Sequence, residues 1–548
     1  MKKSVLALSD FAVCLILALA FTAAPYYIKD GYCKITAGFV FTSFVFYAVF
    51  LFFTYLIRRF LQVGKWDAAD RVSPLMARGE KLINTKYATI SISLIILAFW
   101  IVPLVFLYPG TFINDTWHQL QQFMEYRNGI DVLKDHNPIF DTVVMGQFIV
   151  PVSEMTGEWH KVIFAYVLLQ AVITSLAFAS TVVYAYRKLG LGIRVAAGIL
   201  IVYCLLPIFP AAVQTVSKDA LHSWGFVFFM LCFVELVRTD GKALEDRFFL
   251  VKFLLTVLYC CLTKKVAYYV IILSLAALIL FIKNCRRYAL IPLVCAILLM
   301  NAVMPAVITR IQATPGGKQE MLALPFQMTA RYVKYYGDDI TAEEYEVLDK
   351  VLTMDTLAER YVPTNADPVK GYSQKAEDHD YVEYIKVWAK QGLRHPNIYI
   401  SAFNCMASGW FSWYECIPLM NNDWRSAHRT DLIPEWVALR GFSETTARGY
   451  EEMAHNLHSF PIIQIPLSYG FYSALLPAFA VCTTLRRWKK KDANYWLAVL
   501  PIVFCVILGG WLAPVSIHFE GKRYLYPIIY TAPLLAAWCM YVYKENRE

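Results

Sequence analysis

Two polar stretches in an otherwise apolar chain hold residue types suited to acid–base or anion chemistry. The first begins Tyr108-Pro109-Gly110-Thr111-Phe112-Ile113-Asn114-Asp115-Thr116-Trp117-His118-Gln119. It continues to Asp135-His136-Asn137-Pro138-Ile139-Phe140-Asp141-Thr142. Asp115 follows an apolar run by a few residues, which places it at the membrane surface and partly out of water. A carboxylate there can act as a general base toward a hydroxyl or coordinate a cation. His136 and Asp141 can complete a polar cluster with it. A plainer role competes, because Asn114-Asp115-Thr116 also suits the cap of a helix carrying Trp117, Leu120 and Phe123. The same triplet is a formal glycosylation sequon, but its place against the membrane argues against that use.

The second stretch is distributed over three turns. Ser217-Lys218-Asp219 lies between two apolar runs, Lys264-Lys265 between two more, and Lys522-Arg523-Tyr524 just before the last. Each is by itself an ordinary interfacial group, with a lysine snorkelling out of hydrocarbon or a Lys-Asp pair neutralising itself. Together they put positive charge at several helix ends on one side, opposite the acidic first loop. That pattern suits a phosphate or pyrophosphate whose lipid tail lies in the bilayer.

The elements that must position these residues are membrane helices. Of 548 residues 58% are hydrophobic and only 17% charged, against about a quarter charged in a soluble chain. The deficit is concentrated in apolar runs of about 20 residues, enough to cross a bilayer as a helix. Twelve such runs stand out: Phe11–Ile28, Gly38–Ile57, Tyr87–Tyr108, Val162–Tyr186, Val195–Val216, Ala220–Val237, Phe248–Leu262, Val266–Ile282, Tyr288–Ile308, Ile462–Cys482, Asn494–Ser516 and Tyr524–Tyr543. The seventh and eighth are short and divided by Lys264-Lys265, so a single bent hairpin is an alternative there. Pro207 and Pro210 interrupt the fifth. The fold class expected is an all-α polytopic membrane protein.

Lysine and arginine fall mainly in alternate loops, among them Lys2-Lys3, Arg58 to Lys86, Arg187-Lys188 with Arg194, Arg238 to Lys252, Lys283 to Arg287, Arg486 to Lys491, and Lys544 with Arg547. Such loops stay in the cytoplasm, which puts both termini there and 109–161 outside. The net charge of +9 is thus a matter of topology, and no nucleic-acid site is expected. Lys2-Lys3, the apolar stretch after it, and Ala18-Leu19-Ala20 or Thr22-Ala23-Ala24 have the look of a cleavable signal. An uncleaved first span is favoured, and either outcome leaves the later topology unchanged.

Residues 1–308 then form a membrane part with spans one to nine, 309–461 an extracytoplasmic helical domain, and 462–548 spans ten to twelve. In the outer domain Thr341-Ala-Glu-Glu344 reads as a capping box ahead of a helix ending near Leu352. Asp378–Arg394 keeps helical spacing through Tyr381, Ile385, Trp388 and Leu393, and Pro396 can open another helix. The aromatic cluster Trp410-Phe411-Ser412-Trp413-Tyr414 suits the bilayer interface. Most of the 13 cysteines lie in apolar runs as small hydrophobes. Cys405 and Cys416 fall in the outer domain and can form a disulfide if that compartment is oxidising.

The order of these motifs resembles the glycosyltransferase C superfamily, and within it a little-characterised group of bacterial multi-spanning proteins. Asp115 in the first large outer loop, Gln119 after it, and His136-Asn137-Pro138 follow that pattern, with Asn137 inserted between the usual His and Pro. Lys218-Asp219 matches a basic-acidic pair at an outer turn, Arg523-Tyr524 with Pro527 an Arg-Tyr element opening a late span. His395-Pro396-Asn-Ile-Tyr399 leading to Gly409-Trp410 resembles the outer-domain pattern. The resemblance implies sugar transfer from a polyprenyl-phosphate donor to a glycan, lipid or protein acceptor outside the cytoplasmic membrane. Asp115 would deprotonate the acceptor hydroxyl, and Gln119, His136, Asn137 and Asp219 would line the substrate site. Lys218, Lys264, Lys265 or Arg523, with Tyr524, would hold the donor phosphate. No acidic pair adjoins Asp115, so a divalent cation is compatible but not implied, and no cofactor is.

Three other functions fit the composition: a polysaccharide polymerase or ligase, a lipid or solute transporter, and a scaffold whose outer domain binds a partner. The near absence of charges deep in the spans, with Asp10, Glu235 and Lys252 all near ends, argues against ion-coupled transport.

Overall fold

The computed structural model describes residues 5–64, 66, 73–317, 321–370, 376–417, 419, 444–486, 494–512 and 521–546. Lys2, Lys3, Lys65, Arg71, Arg487, Lys489, Lys490, Lys491, Arg547 and the expected end of the eleventh run at Ser516 lie outside these residues.

The chain is almost entirely helical. Its first half runs α1 (Leu8–Asp30), α2 (Ala37–Val63), α3 (Pro74–Ile83), α4 (Ala88–Phe106), β1 (Thr111–Phe112), α5 (Asn114–Arg127), α6 (Ile139–Thr156), α7 (Trp159–Arg187), α8 (Ile193–Leu205), α9 (Ile208–Val213), β2 (Thr215–Val216), α10 (Lys218–Arg238), α11 (Arg247–Thr263) and α12 (Lys265–Phe281). Among the described residues eight helices are long and apolar enough to cross a membrane: α1, α2, α4, α7, α10, Arg286–Arg310, Tyr495–Leu512 and Arg523–Glu545. Ile193–Leu205, Lys265–Phe281 and Phe471–Leu485 are shorter apolar helices. Large apolar side chains such as Phe41, Phe44, Phe52, Ile90, Leu94, Leu255 and Leu280 stay exposed around the bundle. A surface that apolar requires a hydrocarbon surrounding, so the protein is a multi-pass membrane protein.

Local chemistry sets the breaks that matter. Proline lacks an N–H and cannot continue the ladder, so the fifth apolar run divides at Leu206-Pro207 into α8 and α9. The seventh and eighth runs are two helices, because Lys264 between them is extended at φ −155° and ψ 120°. Ser217 caps α10 by accepting a hydrogen bond from Ala220 N at 3.1 Å, the ordinary use of serine at a helix start.

A two-residue clasp joins the first polar loop to the turn before α10. β1 and β2 pair in parallel, Thr111 opposite Thr215 and Phe112 opposite Val216. Thr116 Oγ1 donates to Val216 O at 2.5 Å. From α7, the Gln170 side-chain amide donates to Val213 O and Thr215 O at 2.6 and 3.1 Å. The strands run parallel and each is followed closely by a helix, so α5 and α10 start side by side. Gly110 feeds the clasp at φ +124°, where an added Cβ would lie 2.7 Å from Val167 Cγ2 and 3.0 Å from Gln214 O.

A second, smaller core lies beyond the bundle. Helices Ala323–Tyr336, Ala342–Val351, Asp378–Arg394 and Pro396–Ala407 enclose Phe326, Ala330, Leu348, Val351, Tyr384 and Met406. The expected helices at 378–394 and from Pro396 are thus present. Thr341 does cap its helix, accepting from Glu344 N. The Glu344 carboxylate, however, pairs with Arg394 and Lys390 at 2.8 and 3.0 Å, so the cap is one-sided. This core is tied to the α1–α2 turn, where Gly31 O accepts from Arg331 Nη2 at 2.8 Å and Cys405 Sγ at 3.1 Å.

One pairing that the sequence allows is not formed. Cys405 and Cys416 are both free thiols; Cys405 is turned to Gly31, whereas Cys416 bridges its backbone to Ser468. Of the aromatic cluster, Trp410 is buried in the main core and Tyr414 is exposed. Trp413 instead meets Phe21 of α1, ring centroids 6.4 Å apart.

Gly110→Ala should strain the clasp through both its φ and the crowded Cβ. The expected cost is about 1–3 kcal/mol, read as a lowered thermal midpoint of the purified protein; an unchanged midpoint would show that the clasp is not structurally required.

Candidate functional site

The clasp places Asp115 in the first turn of α5 beside Lys218 and Asp219 in the first turn of α10. Helix N-termini carry partial positive charge and favour carboxylates, so each aspartate sits where its backbone surroundings suit it. Asp115 does not cap its helix: Ile113 occupies the cap position without a side-chain bond. Its carboxylate faces outward to two cations instead, Lys218 Nζ at 2.5 Å and Arg523 Nη1 at 2.9 Å. Lys218 also donates to Asn137 Oδ1.

Asp219 is fully buried and lies below. Its Oδ1 accepts from Lys264 Nζ at 2.5 Å, and its Oδ2 is 3.6 Å from Arg523 Nε. Lys264 rests over the Tyr524 ring, 4.2 Å from its centroid, and the Arg523 guanidinium lies 5.8 Å from the same centroid. The adjacent Lys218 and Asp219 therefore do not neutralise one another. Each takes a partner from elsewhere in the chain, and Arg523 bridges the two carboxylates.

Other expected site residues take different places. Gln119 is buried and donates to Thr142 Oγ1 at 3.0 Å, bracing α5 against α6. Lys265 is at the rim, its side chain 44% exposed, and pairs with Asp135 Oδ2 at 2.9 Å. His136 is exposed, and its influence on Asp115 is electrostatic. Asp135, the partner of Lys265, was not anticipated, since nothing in its local pattern marks it beyond neighbouring His136. Asp141 lies fully buried in the first turn of α6 with no hydrogen-bond partner on either carboxyl oxygen among the described residues.

Electrostatics separate the two loop carboxyls. Burial pushes Asp115 toward the neutral form, but Lys218 and then Arg523 beside it prevail and hold it well below the usual carboxylate range. Burial pushes Asp141 well above that range, only partly opposed by Lys218. Asp115 is therefore held toward the ionised form, whereas burial favours the neutral form of Asp141. Among the described residues no group of three or more His, Cys, Asp or Glu is placed to hold a metal. A divalent ion at Asp115 or Asp219 would have to displace Lys218 or Lys264.

The arrangement defines a multi-pass helical membrane protein with a cationic, carboxylate-bridged cluster where helices from distant parts of the chain begin. The chain belongs to the DUF6020 family, a family of unknown function whose pattern matches residues 128–548. That span includes His136, Asn137, Lys218, Asp219, Lys264, Lys265, Arg523 and Tyr524, while Asp115 and Gln119 precede it. No curated protein and no solved structure matches the chain.

Lys264→Met should leave Asp219 buried with only the more distant Arg523, a loss of about 3 kcal/mol. Lys265→Met at the exposed rim should cost less than about 1 kcal/mol. Denaturant or thermal unfolding of both variants in one detergent tests the contrast; equal losses would refute the burial argument. Because its folded pKa is depressed, Asp115 adds stability above its unfolded pKa and loses it as pH falls toward the folded value. Asp115→Asn should therefore flatten the acid limb of the stability profile, and an unaltered limb would place its origin elsewhere.

Proposed function

We propose that the protein is an integral-membrane glycosyltransferase that uses a polyprenyl-phosphate sugar as donor. The observation that carries this reading is the pairing of Asp115 with Lys218 and Arg523 where the first loop meets the start of the last helix. One carboxylate and two phosphate-binding side chains then share a position at the end of an apolar bundle, as a lipid-linked phosphate with its tail in the bilayer requires. In this reading the twelve apolar runs cross the membrane, both termini are cytoplasmic, and the cluster and the 309–461 domain face outward. The acceptor is a glycan, lipid or protein on that side.

The chemistry divides among the residues. Paired with two cations, Asp115 is a weak base. A donor phosphate that draws Lys218 and Arg523 toward itself relieves that pairing and restores proton affinity to Asp115 when an acceptor hydroxyl must be deprotonated. The same cations then stabilise charge on the departing phosphate, and Lys264, held by Asp219 and Tyr524, supports Arg523 from beneath.

A transporter reading draws on the broken helix at Pro207 and on the buried Asp10–Arg58 pair, 2.6 Å apart at the other end of the bundle. That pair is saturated, however: Arg58 also donates to Thr483 Oγ1 and Tyr543 OH at 3.2 and 2.8 Å. Saturation makes it a fastening between helices more readily than a carrier of ions.

In nanodiscs supplied with radiolabelled polyprenyl-phosphate sugars and membrane-extract acceptors, Asp115→Asn should lower transfer by about 10²–10⁴-fold. The variant should still insert and fold. Full transfer by a folded Asp115→Asn protein would remove Asp115 as the base, and no transfer by the wild type across donors would remove the enzyme reading.

A further inference from the structure

We propose that Asp141 is an uncharged carboxylic acid at the floor of the site, a positioning residue whose neutrality leaves Lys218 available to an incoming phosphate group. The inference rests on the phosphate-binding part of the function proposed above. Helix α6, which carries Asp141, packs against α5, α7, α10 and α11, so its first turn lies among the elements that build the cluster. The residue is fully buried, and neither carboxyl oxygen has a hydrogen-bond partner among the described residues. A carboxylate without partners in such a place would be strongly disfavoured; a neutral acid is tolerated.

Its charged surroundings are few and all belong to the site. Lys218 and Asp219 of α10 and Lys264 of the α11–α12 break act on it electrostatically, and its charge would act on Tyr166 of α7 and Tyr259 of α11. From α5, Asp115 competes for the same Lys218. The ion-paired groups are three cations, Lys218, Lys264 and Arg523, and two carboxylates, Asp115 and Asp219. With Asp141 neutral one positive charge is left over, and an anion is attracted. Were Asp141 ionised, the excess would vanish and Lys218 would gain a second buried counter-ion. Burial, which pushes the Asp141 carboxyl well above the usual carboxylate range, favours the neutral form. A buried acid held neutral to serve an anionic site is a known use of desolvation.

Binding of an anion and protonation of Asp141 must then reinforce each other by linkage. The sign follows: affinity for a phosphate is full while Asp141 is protonated and falls as pH rises through its folded pKa. Loss of one positive charge from the cluster should cost about tenfold or more in affinity.

Two measurements on the full-length protein in nanodiscs test this. Infrared difference spectra of wild type against Asp141→Asn at pH 7 should contain the carbonyl band of a protonated carboxylic acid; its absence overturns the proposal. Farnesyl phosphate binding is then followed by calorimetry with rising pH, where the probe's second ionisation, near 6, is already complete. Affinity of the wild type should fall in step with loss of the acid band, whereas Asp141→Asn should show no fall until the lysines lose charge. Affinity indifferent to that band, or an identical fall in both proteins, refutes the coupling. Inorganic phosphate binding as tightly, with the same pH dependence, assigns the role of Asp141 to a free phosphate. Failure of the wild type to bind either probe, with the band present, removes the phosphate reading and this role with it.

Discussion

Asp219 is a carboxylate with no exposed surface at the end of an apolar bundle, and the packing of several chain segments follows from that fact. An ionised group loses several kcal/mol of hydration on burial unless partners replace the water. Lys264 and Arg523 are those partners, supplied from the α11–α12 break and from the start of the last helix. The extended conformation of Lys264 thereby acquires a purpose beyond ending a helix, since it points the ammonium at Asp219 across the Tyr524 ring. Asp115 is the outer half of the same network, less buried and reached by Lys218 and Arg523. Removing the buried pair would detach the α11–α12 break from the start of α10.

The clasp between β1 and β2 makes this network possible at small expense. Two residues of parallel ladder place the starts of α5 and α10 side by side, and with them two partly positive helix ends. Carboxylates in the first turn of each helix are then favoured locally before any cation arrives. Cations gathered around such carboxylates form a reservoir of positive charge that is held in place yet can be redirected. In the proposed reaction an anionic ligand would compete with Asp115 for Lys218 and Arg523, and the exchange would free a base where the cations were. A neutral Asp141, as proposed above, would keep a third carboxylate from joining that competition.

Away from the cluster, two further polar fastenings hold the first two helices and the smaller core. Arg58 and Asp10, both buried, join α1 and α2 to the helices carrying Thr483 and Tyr543. Arg331 and Cys405 hold the smaller core on the α1–α2 turn through one carbonyl, Gly31 O. Both follow the rule that Asp219 follows: a buried charged or polar group is commonly found where partners converge on it. The first two helices thus serve as a mount for the small core, and the cluster is built from later parts of the chain.

Much of the architecture could be read from residue order because membrane helices are local objects. An apolar run of sufficient length must satisfy its own backbone, so the runs from Phe11 to Tyr543 are mainly helical where described, apart from breaks such as the Thr215–Val216 strand, and Pro207 marks a break for a reason carried by that residue itself. The helix over Asp378–Arg394 and the one opened by Pro396 were equally legible from spacing. Pairings were not. Successive helical residues point about 100° apart, so adjacency misleads: Lys218 and Asp219 look like a pair and face different partners. Gln119 resembles a site residue and braces a helix, and the two outer-domain cysteines diverge. The sequence by itself determined which segments are helices and which side chains could carry charge at their ends. Only the tertiary structure decided which carboxylate is pushed toward the charged form, which toward the neutral one, and which cation serves each, because those outcomes depend on burial and on distances between residues that can lie hundreds of positions apart.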